Sequence, residues 1–173
     1  MRPSRNVVRV GAVKAFRWGV AAAALLGAGC GYRFTPWGSA LPAGVGQVCA
    51  PIFANDTPEP ALENLFTRYL RQQLVQAGRL ASAPGCTSTI EGAVLNVWAS
   101  PTIVVGNYRV STTVRLRLLK EGQLLGETVV SGTEDYLQGR GGVLEAEANR
   151  QAALARLAET LMRDGYDRLA STW

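Results

Sequence analysis

The sequence predicts an α+β domain, an α/β sandwich in which two helices pack on one face of a four-stranded mixed sheet, in the order β-α-β-β-β-α. Two segments carry apolar residues at steps of three and four, which is typical of helices with one buried face. Another segment alternates apolar and polar residues, and a tight Lys-Glu-Gly-Gln turn follows it. Since crossovers favour parallel and hairpins antiparallel pairs, we expect a mixed sheet whose second face is partly open.

The first strand and the first helix are predicted near the start of the domain. Residues 45–54 (VGQVCAPIFA) are expected to form the strand, which ends in the turn-forming sequence Asn-Asp-Thr-Pro-Glu-Pro. Proline and acidic residues favour a helix start, so the helix is expected over residues 60–77, and Gly78 ends it. Its buried face carries Leu62, Leu65, Phe66, Tyr69, Leu70, Leu74 and Ala77.

Three strands and a long helix are predicted in the second half of the chain. The strands are expected at 88–99, 106–120 and 124–136, and an Ala/Glu/Arg/Leu-rich helix at 144–169, which Gly165 is expected to end or kink. One face of the middle strand carries Tyr108, Val110, Thr112, Val114, Leu116 and Leu118. The other face carries Arg109, Ser111, Thr113, Arg115 and Arg117.

Residues 1–29 are predicted to be a secretory signal peptide. They combine a basic start, an apolar run of residues 18–29 and small residues at its end. That run is too short to span a bilayer, which needs about 20 apolar residues. Its last letters, Leu-Gly-Ala-Gly-Cys, resemble a bacterial lipobox, so Cys30 is expected to be acylated as the mature N-terminus. An ordinary cleaved signal and an uncleaved N-terminal anchor are the alternatives.

The mature protein is expected to consist of a lipidated tether, residues 30–44, and a domain, residues 45–173. Gly31 follows the cysteine in place of the Asp that usually retains lipoproteins in the inner membrane. The expected location is therefore the outer membrane, with the lipid-anchored domain on the periplasmic side.

The net charge of +5 belongs to the signal peptide. Residues 1–29 hold five basic and no acidic side chains, which leaves thirteen of each sign in the mature chain. A neutral protein lacks the electrostatic attraction on which nucleic-acid binding depends. Nucleic acid is therefore not an expected partner.

The residue types argue against catalysis and against metal binding. The chain has no histidine, which is the commonest general base and metal ligand, and no recognisable nucleophile, phosphate-binding or metalloprotease motif. We expect neither an enzyme nor a cofactor. Cys49 and Cys86 are expected to form a disulfide in an oxidising periplasm, or else to be two separately buried thiols.

The third strand offers a candidate anion-binding row. Arg109, Arg115 and Arg117 share a face and Lys120 ends the strand, a pattern that suits phosphate or carboxylate groups. The alternative is a solvated face on which these cations pair with acids such as Glu91. Glu127 is a second acid of that kind.

Two stretches resemble the LptE family of lipopolysaccharide-assembly lipoproteins. The mature start, CGYRF at 30–34, is similar to the family's CGY opening, and Leu-Pro at 41–42 continues the match. Residues 51–63, PIFANDTPEPALE, are similar to its strand, Phe-x-Asn-x-Thr turn and Pro-x-Leu-Glu helix start. Beyond these stretches, the resemblance lies in the order of elements.

The resemblance implies a non-enzymatic outer-membrane lipoprotein. LptE-like proteins plug the LptD β-barrel and help it to assemble and to deliver lipopolysaccharide to the outer leaflet. The expected partners are thus an LptD-like barrel, the membrane through the N-terminal lipid, and lipopolysaccharide if the arginine row and Lys120 contact it. The alternative is another periplasmic lipoprotein that regulates peptidoglycan synthesis.

Overall fold

The computed structural model describes residues 41–81 and 85–171. The elements are β1 (Ala54–Asn55), α1 (Leu62–Gln76), β2 (Ser88–Pro101), β3 (Asn107–Lys120), β4 (Gln123–Leu137) and α2 (Val143–Ser171). One sheet has the strand order β1-β2-β3-β4, with β1 parallel to β2 and the other neighbours antiparallel. The predicted α+β class, the element order and the mixed sheet are confirmed. The predicted signal peptide and Cys30 lie outside the described residues.

The predicted length of the first strand is wrong. Instead of a strand over 45–54, the sheet gains only Ala54 and Asn55. The preceding chain forms isolated parallel bridges, Val48 with Leu80 and Cys49 with Thr89. Pro51 then follows, and proline has no N–H for a ladder.

The hydrophobic core lies between the sheet and the two helices. The alternation of β3 determines it, because the even-numbered residues from Val110 to Leu118 are buried. The two helices contribute apolar side chains from one stripe each. The largest fully buried ones include Phe66, Leu70, Leu74, Leu154, Met162 and Leu169.

Glycine 165 does not end the last helix, as α2 continues to Ser171. A Cβ at Gly165 would lie 2.6 Å from Leu116 Cδ1 and 3.6 Å from Val130 Cγ2. The glycine therefore lets α2 approach β3 and β4 closely.

The two ends of the sheet have different neighbours. At one end lie the β2–β3 hairpin and the connection from β4 to α2, where Gln138 N–H donates to the Gly106 carbonyl at 2.9 Å. At the other end lie the β3–β4 turn and the first described residues. There a Cβ at Gly44 would lie 3.0 Å from Lys120 Nζ.

Candidate functional surface

The three arginines of the third strand lie on the face of the sheet opposite the helices, which we name the open face. It comprises outward residues of β2, β3 and β4, among them Arg109, Arg115 and Arg117. Lys120 is not part of the row, because its ammonium lies beside Gly44 at the end of the strand. The structure thus groups three of the four predicted cations.

Arg109 is neutralised by Asp135 on the neighbouring strand. Its Nε and Nη2 donate to the two carboxylate oxygens at 2.7 and 3.0 Å. This hydrogen-bonded pair raises the pKa of Arg109 and lowers the pKa of Asp135. Both side chains are exposed, so the pair adds little stability and mainly cancels charge.

Arg117 lies between two acids. Its Nε is 3.4 Å from Glu127 Oε2 and its Nη1 is 3.9 Å from Glu91 Oε2. These are the two acids that the sequence offered as partners. Both are cross-strand neighbours of Arg117, one on β2 and one on β4.

Arg115 differs from its two neighbours. It forms no ion pair with any residue in the described ranges. Its Nε, like that of Arg117, is buried without a hydrogen-bond partner among them. Its cross-strand neighbours are Ala93 and Val129, which offer no acceptor side chain. Of the row, Arg115 is therefore the cation best able to accept an external anion.

The rest of the open face combines small hydroxyl side chains with exposed apolar ones. Thr113 and Ser131 hydroxyls lie 3.0 Å apart, and Ser111 and Thr133 are neighbours on the same two strands. Trp98 is its largest exposed apolar side chain. Together with three arginines against Glu91, Glu127 and Asp135, this makes a mixed, charge-balanced surface.

The Phe-x-Asn-x-Thr stretch forms a hydrogen-bonded turn between β1 and α1. Asn55 Nδ2 donates to the Glu59 carbonyl at 2.7 Å and to Glu63 Oε2 at 2.9 Å. Asn55 Oδ1 accepts from Thr57 N–H and Oγ1 at 3.1 and 2.8 Å. Phe53 N–H donates to the Thr67 hydroxyl at 3.0 Å. These residues therefore fix the helix start, and in this chain their role is structural.

Glu59 also connects this turn to the last helix. It forms a bidentate pair with Arg150, with Nη1 2.8 Å from Oε1, and the side chains are only 17% and 21% exposed. The hydrogen bonds to Glu59 raise the pKa of Arg150. Sequence reasoning missed this pair, since 91 residues separate its members and no local pattern joins them.

Cys49 and Cys86 are joined in a disulfide with their Cα atoms 6.0 Å apart. The bridge ties the segment before β1 to the loop before β2, where that segment has only isolated backbone pairings. The two cysteines are 37 residues apart in sequence, and their cross-link restrains this segment where a full strand ladder would otherwise do so.

The described residues show no arrangement for metal chemistry. Across 41–81 and 85–171, no three His, Cys, Asp or Glu side chains converge to hold a metal ion. A surface depression at the β2–β3 hairpin is lined by Ser100, Pro101, Thr102, Ile103 and Arg109, none of them a carboxylate. Among the helices described, none is long and apolar enough to cross a bilayer.

Comparison with known proteins identifies a family and a shared fold. A family model described as lipopolysaccharide-assembly, LptE, matches residues 45–169. None of the curated proteins matches the chain.

Several solved structures have a similar fold. A candidate lipoprotein from Caulobacter crescentus CB15 is 16% identical with a TM-score of 0.54, over 69% of this chain and 88% of that one. Protein CT253 of Chlamydia trachomatis is 11% identical with a TM-score of 0.53, over 72% and 95%. Rare lipoprotein B of Shewanella oneidensis is 11% identical with a TM-score of 0.50, over 72% and 95%. At such identities these structures show the fold alone.

Proposed function

The chain belongs to the LptE family of lipopolysaccharide-assembly proteins, and from that membership we propose that it is the lipid-anchored subunit that plugs an LptD-type β-barrel. In this role it helps the barrel to assemble and to insert lipopolysaccharide into the outer leaflet. The chain acts as a scaffold and not as an enzyme.

The open face is the observation that carries the plug role. The lumen of a large outer-membrane barrel is polar and water-lined, so an inserted domain needs a surface that is polar without a strong charge of one sign. Small hydroxyl side chains, and three arginines matched in number by three acids, give the open face that character. We assign the barrel contact to this face, because the helices cover the other one.

The anchor is assigned to Cys30, acylated after cleavage of residues 1–29. A tether at this position keeps the domain beside the membrane and raises its effective concentration near a membrane-bound partner. Replacing Cys30→Ala should release the mature protein into the soluble periplasmic fraction. Retention in the membrane through an uncleaved segment would contradict this assignment.

Direct contact with lipopolysaccharide is assigned to Arg115. Arg109 and Arg117 are already matched by acids, whereas Arg115 faces none among the described residues. We expect Arg115→Gln to weaken binding of lipopolysaccharide to the purified mature protein, and Arg109→Gln to leave it unchanged. Equal binding by the wild type, Arg115→Gln and Arg109→Gln would favour the alternative that the arginines only form a solvated face.

The deciding experiment for the plug role is a pull-down of the acylated protein from solubilised outer membranes. We expect it to recover a large β-barrel. Thr133→Arg places a bulky charge on the exposed open face and should reduce that recovery several-fold. Thr160→Arg makes the same change on the exposed side of α2. It serves as the matched control and should leave the recovery of the barrel unchanged.

Three results would contradict the proposal. Recovery of the monomer alone from wild-type membranes would refute the barrel partnership. Recovery of a peptidoglycan synthase in its place would favour the regulator interpretation. Equal barrel recovery by Thr133→Arg and Thr160→Arg would remove the open face from the interface.

A further inference from the structure

One end of the domain exposes a group of large aliphatic side chains. At the turn of the β2–β3 hairpin, Ile103 and Val105 are 101% and 99% exposed, and Val104 is more than half exposed. Leu137, Val143 and Leu144 are exposed where β4 leads into α2, at the same end of the sheet. We name these six residues the apolar tip.

The apolar tip does not match the polar surface on which the proposed function rests. Isolated exposed aliphatic residues are common, but two chain segments that place six of them at one end mark an interaction site. The sequence from Pro101 to Gly106 contains no charged side chain. A water-lined lumen would leave these apolar side chains hydrated, whereas hydrocarbon would remove their surface from water.

Part of the backbone of the hairpin turn is hydrogen-bonded within the protein. Thr102 N–H donates to the Asn107 carbonyl at 2.9 Å, and Asn107 N–H donates to the Val104 carbonyl at 3.0 Å. Val104 N–H donates to the Thr102 hydroxyl at 3.2 Å. Unpaired backbone groups are costly in hydrocarbon, so the bonds of Thr102, Val104 and Asn107 lower the cost of bringing this turn to the lipid boundary.

The length of the tether decides whether the anchor and the tip can reach one membrane. The described chain begins at Leu41, near the Lys120 end of the sheet, and the 14-residue β3 places the tip roughly 43 Å from that end. The chain between Cys30 and Leu41 reaches at most about 40 Å when extended. The chain is therefore long enough for the acyl anchor and the tip to reach one membrane.

We propose that the apolar tip inserts into the hydrocarbon boundary of a phospholipid bilayer and gives the free lipoprotein a second membrane contact. The inference rests on the acyl anchor at Cys30 that the proposed function assigns. Two weak attachments orient the domain, because a single attachment leaves it free to rotate. On docking with a barrel, the tip leaves this bilayer contact.

The test uses the acylated mature protein in phosphatidylethanolamine–phosphatidylglycerol vesicles whose acyl chains carry bromine, a short-range quencher of tryptophan emission. Ile103→Trp and Val105→Trp each place a reporter at a fully exposed tip position, where folding should be unaffected. Gln123→Trp places the matched reporter in the exposed turn at the opposite end. Subtracting the wild-type emission isolates each reporter.

Bromolipid should lower the emission of both tip reporters by about twofold or more and leave the Gln123→Trp reporter nearly unchanged. Unquenched tip reporters on vesicles that carry the protein would refute the inference and favour a protein partner for the tip. If the wild-type protein fails to float with the vesicles, the anchor is refuted and this inference with it. A pull-down without a barrel would refute only the plug role.

Discussion

Replacing Gly92 with alanine should destabilise the domain, because the ring of Phe53 occupies the space that the new methyl group needs. A Cβ built at Gly92 lies within 2.5 Å of three ring carbons. The ring has little room to retreat, since Phe53 is 4% exposed and its N–H is held by the Thr67 hydroxyl. The contact lies where β1 joins the sheet beside β2.

The size of the effect follows from two opposing contributions. Forcing a methyl group into a packed site costs about 1–3 kcal/mol. Replacing a strand glycine by alanine returns roughly 0.5–1 kcal/mol of conformational entropy. We therefore expect Gly92→Ala to lower the free energy of unfolding by about 1–2 kcal/mol, which corresponds to a fall in Tm of roughly 3–8 °C.

Urea denaturation of four proteins in a double-mutant cycle measures this coupling: wild type, Gly92→Ala, Phe53→Leu and the double variant. In the Phe53→Leu background the smaller, flexible side chain should reduce the cost of Gly92→Ala to below about 0.5 kcal/mol. Gly46→Ala is the matched control, since a Cβ at that position meets nothing within 4 Å. An equal cost of Gly92→Ala in both backgrounds would refute the steric explanation.

Three further predictions concern contacts described above. Reduction of the Cys49–Cys86 bridge, or its replacement by two alanines, should lower the free energy of unfolding by up to about 4 kcal/mol, and dithiothreitol should have no effect on the double-alanine variant. Tyr166→Phe should stabilise by about 1 kcal/mol, because Tyr166 Oη is buried without a partner among the described residues. Burial also raises the pKa of Tyr166, so the wild-type domain keeps its neutral-pH stability below about pH 10 and loses part of it as the pH rises through the folded-state pKa. Wild type should thus lose more stability than Tyr166→Phe in alkaline urea titrations, and parallel curves would contradict this. Glu59→Gln should destabilise by about 1–3 kcal/mol in wild type and far less in an Arg150→Gln background, and equal losses would show that the pair is not coupled.

The sequence predicts the parts of the fold that local periodicity controls. The alternation in β3 identified both its buried face and its arginine face, because the side-chain period of a strand is two regardless of its neighbours. The first strand was predicted too long, since composition alone does not show that Val48 and Cys49 change pairing partners before Pro51.

The candidate surface was only partly predictable. The row of arginines follows from spacing, but which of them is neutralised depends on strand register, and register brought Asp135 opposite Arg109. Arg115 stands out for the same reason, because its cross-strand neighbours are apolar. The Glu59–Arg150 pair and the apolar tip depend on tertiary packing and on exposure, which a single sequence does not encode locally.

The Cys49–Cys86 bridge also bears on the timing of maturation. While both thiols remain reduced, the stretch around Val48 is held by isolated backbone pairings and by burial of its apolar side chains, without a covalent link. In a precursor kept in a reducing cytosol, the segment around Val48 would therefore be less constrained. A less constrained chain passes more easily through a secretion channel. With the export that we propose, the disulfide would form in the oxidising periplasm and add the last covalent restraint on this segment.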